Sequence, residues 1–275
     1  MKSPLALLGA FVAFGFAAAS AQVSIGSDYY VRPYLNLNTG GIIDGLMVGG
    51  STSSSQSFAD GTRTLFSEAD LGNGALRYLV DVNGPNQSGV GLAEFGDRLT
   101  FTGGAGTDVI LGLGVDGRLF TDDGALPGTT LQLFANAAFA IFDPGVASWN
   151  NWVELANNGS AVYFDSWFED LRPDTSVDLE VSEFLGTTIT LASNHQSFDV
   201  FYRIQGAIAT NENPVHATLD FSNTATASVD TAPGVDFSSE STVFLTGYNV
   251  PEPSTALCTM LAMGVFAGRR RRPLA

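Results

Sequence analysis

Residues 149–170 combine two side-chain types found in carbohydrate-active sites. Tryptophan rings offer flat apolar faces on which sugars stack, and a pair of carboxylates can hydrolyse a glycosidic bond. The tryptophans are Trp149, Trp152 and Trp167, and the acidic residues are Glu154, Asp165, Glu169 and Asp170. Because spacing along the chain does not pair these groups, we interpret them as a tryptophan packing cluster with solvent-exposed acids. The alternative is a carbohydrate-binding module or a glycan hydrolase that uses the Trp149–Trp167 region.

The remaining chemistry-bearing residues form no recognisable catalytic set. His195 and His216 lie 21 residues apart, which matches no zinc-site spacing, and we expect both on solvent-facing positions. The sequence has no Gly-x-Ser-x-Gly nucleophile motif. The one cysteine, Cys258, lies beyond the part of the chain that we expect to fold as a body. We therefore predict no catalytic residue and no enzymatic activity.

One stretch matches a metal-binding repeat. Gly103–Leu111 reads GGAGTDVIL, a single copy of the nonapeptide that binds calcium in β-rolls. Adjacent repeats share each ion in such rolls, so a lone copy lacks half of the ligands, and we interpret the stretch as a glycine-rich turn between strands. Asp116–Gly117 and Asp122–Gly124 are also interpreted as turns. The sequence predicts no cofactor, and a calcium site is the open alternative.

The elements that would position these residues show apolar and polar side chains in alternation. This period of two is typical of half-buried antiparallel strands, and it recurs in residues 76–82, 98–102, 177–184, 199–208 and 215–221. In residues 199–208 it points Val200, Tyr202 and Ile204 inward and Phe201 and Arg203 outward. Short strands with glycine-rich turns predict an all-β fold, an antiparallel β-sandwich that is jelly-roll-like.

Two segments lack this alternation. Residues 51–57 are serine-rich, and their low complexity predicts a loop. Residues 129–142 are almost uniformly apolar, which fits either a central strand pair or a buried helix.

The net charge limits the classes of molecule that the protein is expected to bind. The chain carries 28 acidic and 12 basic residues, a formal net charge of −16. Its single lysine is Lys2, and four of its arginines adjoin one another at 269–272. An acidic surface repels nucleic acids and anionic lipids, so we predict no nucleic-acid partner.

Residues 1–21 have the three parts of a secretory signal peptide. Lys2 supplies the positive charge, residues 5–18 form a short apolar run, and Ala19 and Ala21 form a small-residue cleavage site. We therefore expect export, processing by signal peptidase, and a mature chain that begins near Gln22.

A second apolar run lies at residues 255–268, directly before Arg269, Arg270, Arg271 and Arg272. Fourteen helical residues span about 21 Å, which is short for a hydrocarbon core of about 30 Å. The arginine cluster is expected to stay on the cytoplasmic side and to stop transfer. This arrangement predicts a temporary membrane anchor that leaves the body outside the inner membrane.

Pro251, Glu252 and Pro253 stand immediately before this anchor. The two prolines fix φ and lack backbone donors, which keeps the segment extended. The triplet, the apolar run and the arginine cluster occur in the order that resembles the PEP-CTERM sorting signal of Gram-negative bacteria. The resemblance covers about 25 of the 275 residues.

The resemblance implies a route and a destination. Pro251, Glu252 and Pro253 would be recognised by an exosortase in the inner membrane, which would remove the rest of the tail. The chain then divides into a signal peptide (1–21), an extracytoplasmic β-sandwich body (22–249) and a sorting signal (250–275). We expect a non-enzymatic protein of the cell surface or extracellular matrix, associated with exopolysaccharide in a biofilm.

Overall fold

The computed structural model describes residues 29–37, 41–122, 131–210 and 215–246. These residues form fourteen β-strands and one short helix. The strands are β1 (Tyr30–Asn36), β2 (Ile42–Asp44), β3 (Met47–Val48), β4 (Ser53–Ala59), β5 (Arg63–Asp70), β6 (Ala75–Asn83), β7 (Ser88–Thr102), β8 (Asp108–Thr121), β9 (Gln132–Phe142), β10 (Tyr163–Leu171), β11 (Val177–Thr190), β12 (His195–Ala209), β13 (His216–Thr231) and β14 (Asp236–Ser239). The helix, α1, is Trp152–Asn157.

The strands form two antiparallel sheets packed as a sandwich. Sheet A has the order β10-β9-β12-β7-β1-β2, with β3 beside β1 and β14 beside β7. Sheet B has the order β11-β8-β13-β6-β5-β4. From β6 to β13 the chain passes from one sheet to the other at every connection except the β9–β10 hairpin. The predicted all-β antiparallel sandwich is confirmed at this level.

The predicted alternation selects the side chains that fill the space between the sheets. Leu76, Tyr78, Val80 and Val82 of β6 are fully buried in the shared core, and Arg77 of the same strand is partly exposed. Residues 98–102, 177–184, 199–208 and 216–221 also lie in strands, and most of their predicted apolar positions face the core. A local sequence pattern is enough to predict the buried face of these strands, because successive strand residues point to opposite faces.

Three expectations from the sequence were wrong. Ser53–Ala59 is a strand, β4, which pairs with β5 and is the last strand of sheet B in the described part of the chain. Residues 132–142 are one long strand, β9, and neither a strand pair nor a helix. Asp116–Gly117 lies inside β8 and not in a turn, because both residues pair with β11.

Tyr78 crosses the sandwich and packs on glycine in sheet A. A Cβ atom at Gly206 would lie 2.4 Å from Cε2 of Tyr78, so the ring requires glycine there. The Tyr78 hydroxyl is buried and has no hydrogen-bond partner among the described residues. A buried hydroxyl without a partner destabilises the folded state, because it loses its hydrogen bonds to water.

We therefore expect Tyr78→Phe to stabilise the body by about 1 kcal/mol in chemical denaturation. Tyr163→Phe is the matched control, because the Tyr163 hydroxyl donates to the carbonyl of Gly186 at 2.8 Å. That variant is expected to lose about 1 kcal/mol. Equal destabilisation by both variants would contradict the assignment of an unpaired hydroxyl at Tyr78.

A buried carboxylate ties the last described segment to the sandwich. Asp97 of β7 points into the core and is 2% exposed. It accepts hydrogen bonds from the backbone N–H of Arg98 at 2.8 Å and from the N–H and hydroxyl of Ser241. Phe244 is buried beyond this contact, against Phe95. Residues 239–246 are therefore held firmly against β7.

Candidate functional site

Part of the outer face of sheet A is covered by residues 143–162, which we call the cover segment. It connects β9 to β10 and contains α1. Residues of the cover segment and of sheet A together form a second apolar cluster, separate from the sandwich core: Tyr30, Ala138, Ala140, Phe142, Trp152, Ala156 and Phe201. The turn into α1 is held by Asn151, whose side-chain oxygen accepts hydrogen bonds from the N–H and hydroxyl of Ser148. The central strands of sheet A are therefore buried on both faces.

Three charged side chains cross this covered face in one row. Arg32 of β1 is opposite Glu94 of β7, and Glu94 is opposite Arg203 of β12. Glu94 is completely buried and each arginine is 6% exposed. Arg203 Nε donates to Glu94 Oε2 at 2.7 Å, and Arg32 Nη1 lies 3.4 Å from Glu94 Oε1. Asp44 binds the other edge of Arg32 at 2.8 and 3.1 Å, so the four side chains have no net charge.

These arginines also hold two of the tryptophans. The guanidinium carbon of Arg32 lies 5.5 Å from the ring centroid of Trp149, and that of Arg203 lies 5.0 Å from Trp152. Phe201 stacks on the Trp152 ring with centroids 5.5 Å apart. Cation–π contacts strengthen when both groups are removed from water. The row of Arg32, Glu94 and Arg203 therefore fixes the orientation of the Trp149 and Trp152 rings.

A pocket of about 240 Å³ opens beside this row. Its aromatic walls come from Tyr29, Tyr30, Trp149 and Phe201, and its polar wall from the Arg98–Asp199 pair. Arg98 donates to both carboxylate oxygens of Asp199, with Nε–Oδ1 at 2.7 Å and Nη2–Oδ2 at 3.2 Å. The pocket thus offers apolar ring faces next to an ion pair whose two charges cancel.

The backbone N–H of Gly145, in the cover segment, donates to Asp199 Oδ2 at 2.6 Å. Asp199 is 5% exposed. The carboxylate therefore links strand β12 both to β7 and to the cover segment, and it fixes the rim of the pocket relative to the sheet.

The three tryptophans do not form the single cluster that the sequence predicted. Trp149 lines the pocket, and Trp152 of α1 is fully buried between the cover segment and sheet A. Trp167 of β10 packs on the other side of sheet A, against Phe221 of sheet B at 6.1 Å. Trp149 and Trp152 therefore lie on the covered outer side of sheet A, and Trp167 lies on the side that faces sheet B.

Three of the four predicted acids lie on one strand, β10, and the fourth lies on α1. Glu154 is exposed on α1. Asp165 lies 3.2 Å from the Tyr163 hydroxyl, and Asp170 accepts from Gln132 at 3.0 Å. Glu169 lies on the same strand as Asp165 and Asp170, β10. Asp165 and Asp170 thus have different partners, and no contact among the described residues joins the four acids into the carboxylate pair that glycoside hydrolysis needs.

The two histidines differ in environment. His195 is exposed at the start of β12, as predicted. His216 is only partly exposed and lies between two carboxylates, with Nε2 2.8 Å from Asp81 and Nδ1 2.8 Å from Asp122. Desolvation lowers the pKa of the His216 imidazole, but the hydrogen bonds to Asp122 and Asp81 outweigh it, and the pKa is raised above its ordinary value.

Residues 103–107 form the predicted glycine-rich turn, which connects β7 to β8. Gly103, Gly104 and Gly106 have φ between 73° and 80°, a conformation that favours glycine. Gly103 N–H donates to the carbonyl of Asn194, and Gly106 N–H donates to that of Leu191. In the described parts of the chain, no three His, Cys, Asp or Glu residues are grouped so as to hold a metal ion.

The predicted processing residues lie outside the described residues. These are Ala19 and Ala21 of the signal peptide, Pro251, Glu252 and Pro253 of the sorting motif, and Arg269, Arg270, Arg271 and Arg272 of the stop-transfer cluster. Across residues 29–246, as far as the structure describes them, no helix is long and apolar enough to cross a membrane.

Sequence reasoning missed Arg98 and Asp199. They face each other across β7 and β12 but are 101 residues apart in the chain. One signal for the covered face was available: the alternation in residues 199–208 placed a large aromatic side chain, Phe201, on the face expected to meet solvent.

Comparison with known proteins gives little information about this site. No family model matches the chain, and no curated protein matches it. Among solved structures, the chain is similar to the enzymatically active domain of tailspike protein 4 of bacteriophage CBA120, at 10% sequence identity and a TM-score of 0.20. The alignment covers 66% of this chain and 20% of that chain, and a likeness at this level supports no argument about function.

Proposed function

We propose that this is an exported, non-enzymatic protein of the cell surface or extracellular matrix, sorted and processed by an exosortase. The observation that carries the proposal is the ordered tail: Pro251-Glu252-Pro253, an uncharged run at 255–268, and four arginines at 269–272. Each arginine resists entry into the bilayer centre by about 2.5–3.5 kcal/mol on insertion scales. The cluster would stop transfer and leave the triplet exposed at the outer face of the inner membrane.

The body agrees with a binding or structural role better than with hydrolysis. Three of the four candidate acids are spread along β10 and the fourth lies on α1, and the pocket carboxylate of Asp199 is neutralised by Arg98. An acidic sandwich of this kind supports solubility outside the cell and disfavours direct contact with anionic polymers. Association with exopolysaccharide is therefore proposed through neutral sugars.

The order of the strands supports a jelly-roll topology for the body. Strands β6-β13-β8-β11 and β7-β12-β9-β10 are each adjacent in their sheets. With eight strands that alternate between the sheets except at the β9–β10 connection, this is the order expected of two interlocked Greek keys.

The sorting proposal is tested with the tail alone. Residues 250–275 fused to an unrelated exported reporter, in a host that has an exosortase, are expected to yield a shortened reporter at the cell surface. Replacing Pro251, Glu252 and Pro253 with alanine is expected to leave the reporter uncut in the membrane. Replacing Arg269–Arg272 with neutral residues is expected to release uncut reporter, because the stop-transfer charge is lost.

The matched control replaces Ser254, Thr255 and Thr259 with alanine, which changes the same number of tail residues and leaves the triplet intact. It is expected to be cut like the parent. Cleavage and surface display of the triplet variant at the parental level would show that the tail is only an anchor.

A further inference from the structure

We propose that the pocket beside Trp149 binds a single neutral sugar unit, as found in a polysaccharide. The site lies in the folded body and does not depend on the sorting segment. It differs from the site suggested by residues 149–170, because only Trp149 of that group takes part and its polar partners come from β7 and β12.

The size and walls of the pocket suit one sugar ring. Its volume of about 240 Å³ is below the range of about 300–1,000 Å³ that is typical of drug-sized ligands. Trp149 and Tyr29 present aromatic surface against which the C–H face of a pyranose can pack. Tyr and Trp combine such a surface with a polar edge, which suits a ligand that has both apolar and hydroxyl faces.

The polar wall matches hydroxyl groups, which both donate and accept hydrogen bonds. A guanidinium only donates and a carboxylate only accepts, so the Arg98–Asp199 pair presents both functions side by side. A carboxylate has about four acceptor positions. Arg98 and the Gly145 N–H together use three on Asp199, a residue that lines the pocket.

The charge of the site selects among sugars. Arg98 and Asp199 cancel, so the pocket provides no excess positive charge for a uronate or a phosphate. The chain as a whole carries a formal charge of −16, which repels anions. The chemistry therefore favours a neutral hexose or N-acetylhexosamine over an acidic sugar.

The aromatic wall is held in place before any ligand arrives. Arg32 lies over the Trp149 ring and is itself fixed by Glu94 and Asp44. A side chain that is already ordered loses little conformational entropy when a ligand binds. This is the feature that distinguishes Trp149 from an exposed tryptophan of the surface.

The test titrates the full chain, purified in a zwitterionic detergent without a sugar head group, with methyl glycosides. The probes are the methyl glycosides of glucose, galactose, mannose and N-acetylglucosamine, and the anionic comparison is methyl glucuronide. Calorimetry is expected to show saturable binding of at least one neutral glycoside, with a dissociation constant on the order of 1 mM. Methyl glucuronide is expected to bind at least tenfold more weakly than methyl glucoside if glucose is the sugar bound.

Two variants locate the site. Trp149→Ala removes the stacking surface, and Ala147→Trp fills the pocket while leaving the aromatic wall and the ion pair in place; each is expected to weaken binding at least tenfold. Trp167→Phe, on the opposite side of sheet A, is expected to keep the parental affinity. Thermal melting confirms that each variant is folded.

The proposal is overturned if no neutral glycoside binds saturably, or if a folded Ala147→Trp variant binds as tightly as the parent. Binding of glucuronide as tight as that of the neutral sugar would overturn the assignment of a neutral ligand.

Discussion

Glu94→Gln is expected to destabilise the body by about 3–5 kcal/mol. The Glu94 carboxylate is completely buried and is shared by Arg32 and Arg203, which are themselves buried. Glutamine retains the shape but replaces one acceptor oxygen with an NH₂ group and removes the negative charge. One guanidinium would then face a donor in a site that water does not reach, and a buried charge without its partner is strongly unfavourable.

The measurement is chemical denaturation of residues 22–250, whose described strands share one continuous core. Asp178→Asn is the matched control, because Asp178 also binds an arginine through both oxygens, at 2.6 and 2.7 Å, but on an exposed surface. We expect no measurable change there, since exposed ion pairs contribute little. Similar effects of the two substitutions would show that the buried row does not hold the cover segment to sheet A.

Stability is expected to fall as pH rises from about 4 to about 7, and Asp97 is expected to account for much of the change. Burial raises the pKa of the Asp97 carboxyl to about 6, although hydrogen bonds from Ser241 and Arg98 act in the opposite direction. The folded-state pKa thus lies above the unfolded-state value of about 4. The stabilising contribution of the protonated form is complete below pH ~4 and is lost as pH rises through about 6, a loss of about 3 kcal/mol.

Asp97→Asn isolates this effect, because asparagine keeps the shape and cannot ionise. The difference in unfolding free energy between variant and parent is measured from pH 4 to pH 7.5. We expect it to move in favour of the variant as pH rises, with half of the change complete near pH ~5 and nearly all of it complete above pH ~6. A difference that does not change with pH would mean that Asp97 is ionised in the fold throughout this range.

The strands that the sequence predicted are those whose pattern is local. In β6 and β13, apolar side chains at every second position are enough to specify both the strand and its buried face. In β4 the first five residues are polar, and Ser53–Ala59 is a strand because its backbone pairs with β5. Backbone pairing of this kind cannot be predicted from the side-chain pattern of an edge strand.

The covered face of sheet A could not be predicted in the same way. Arg203 was expected to meet solvent because it alternates with core residues, and that expectation was wrong. It is buried because Glu94, 109 residues earlier, neutralises it and because α1 covers it with Trp152. The pocket likewise depends on strands that are far apart in the chain. The sorting signal, by contrast, can be predicted from the sequence alone, because its triplet, apolar run and arginines follow one another in the chain.

The mass of the mature protein tests the sorting account most directly. Intact-mass spectrometry is applied to the protein recovered from the surface or matrix of a host that has an exosortase. The account predicts a chain that begins at Gln22 and ends near Pro251–Pro253, without the arginine cluster. A surface protein whose mass still includes Arg269–Arg272 would contradict it.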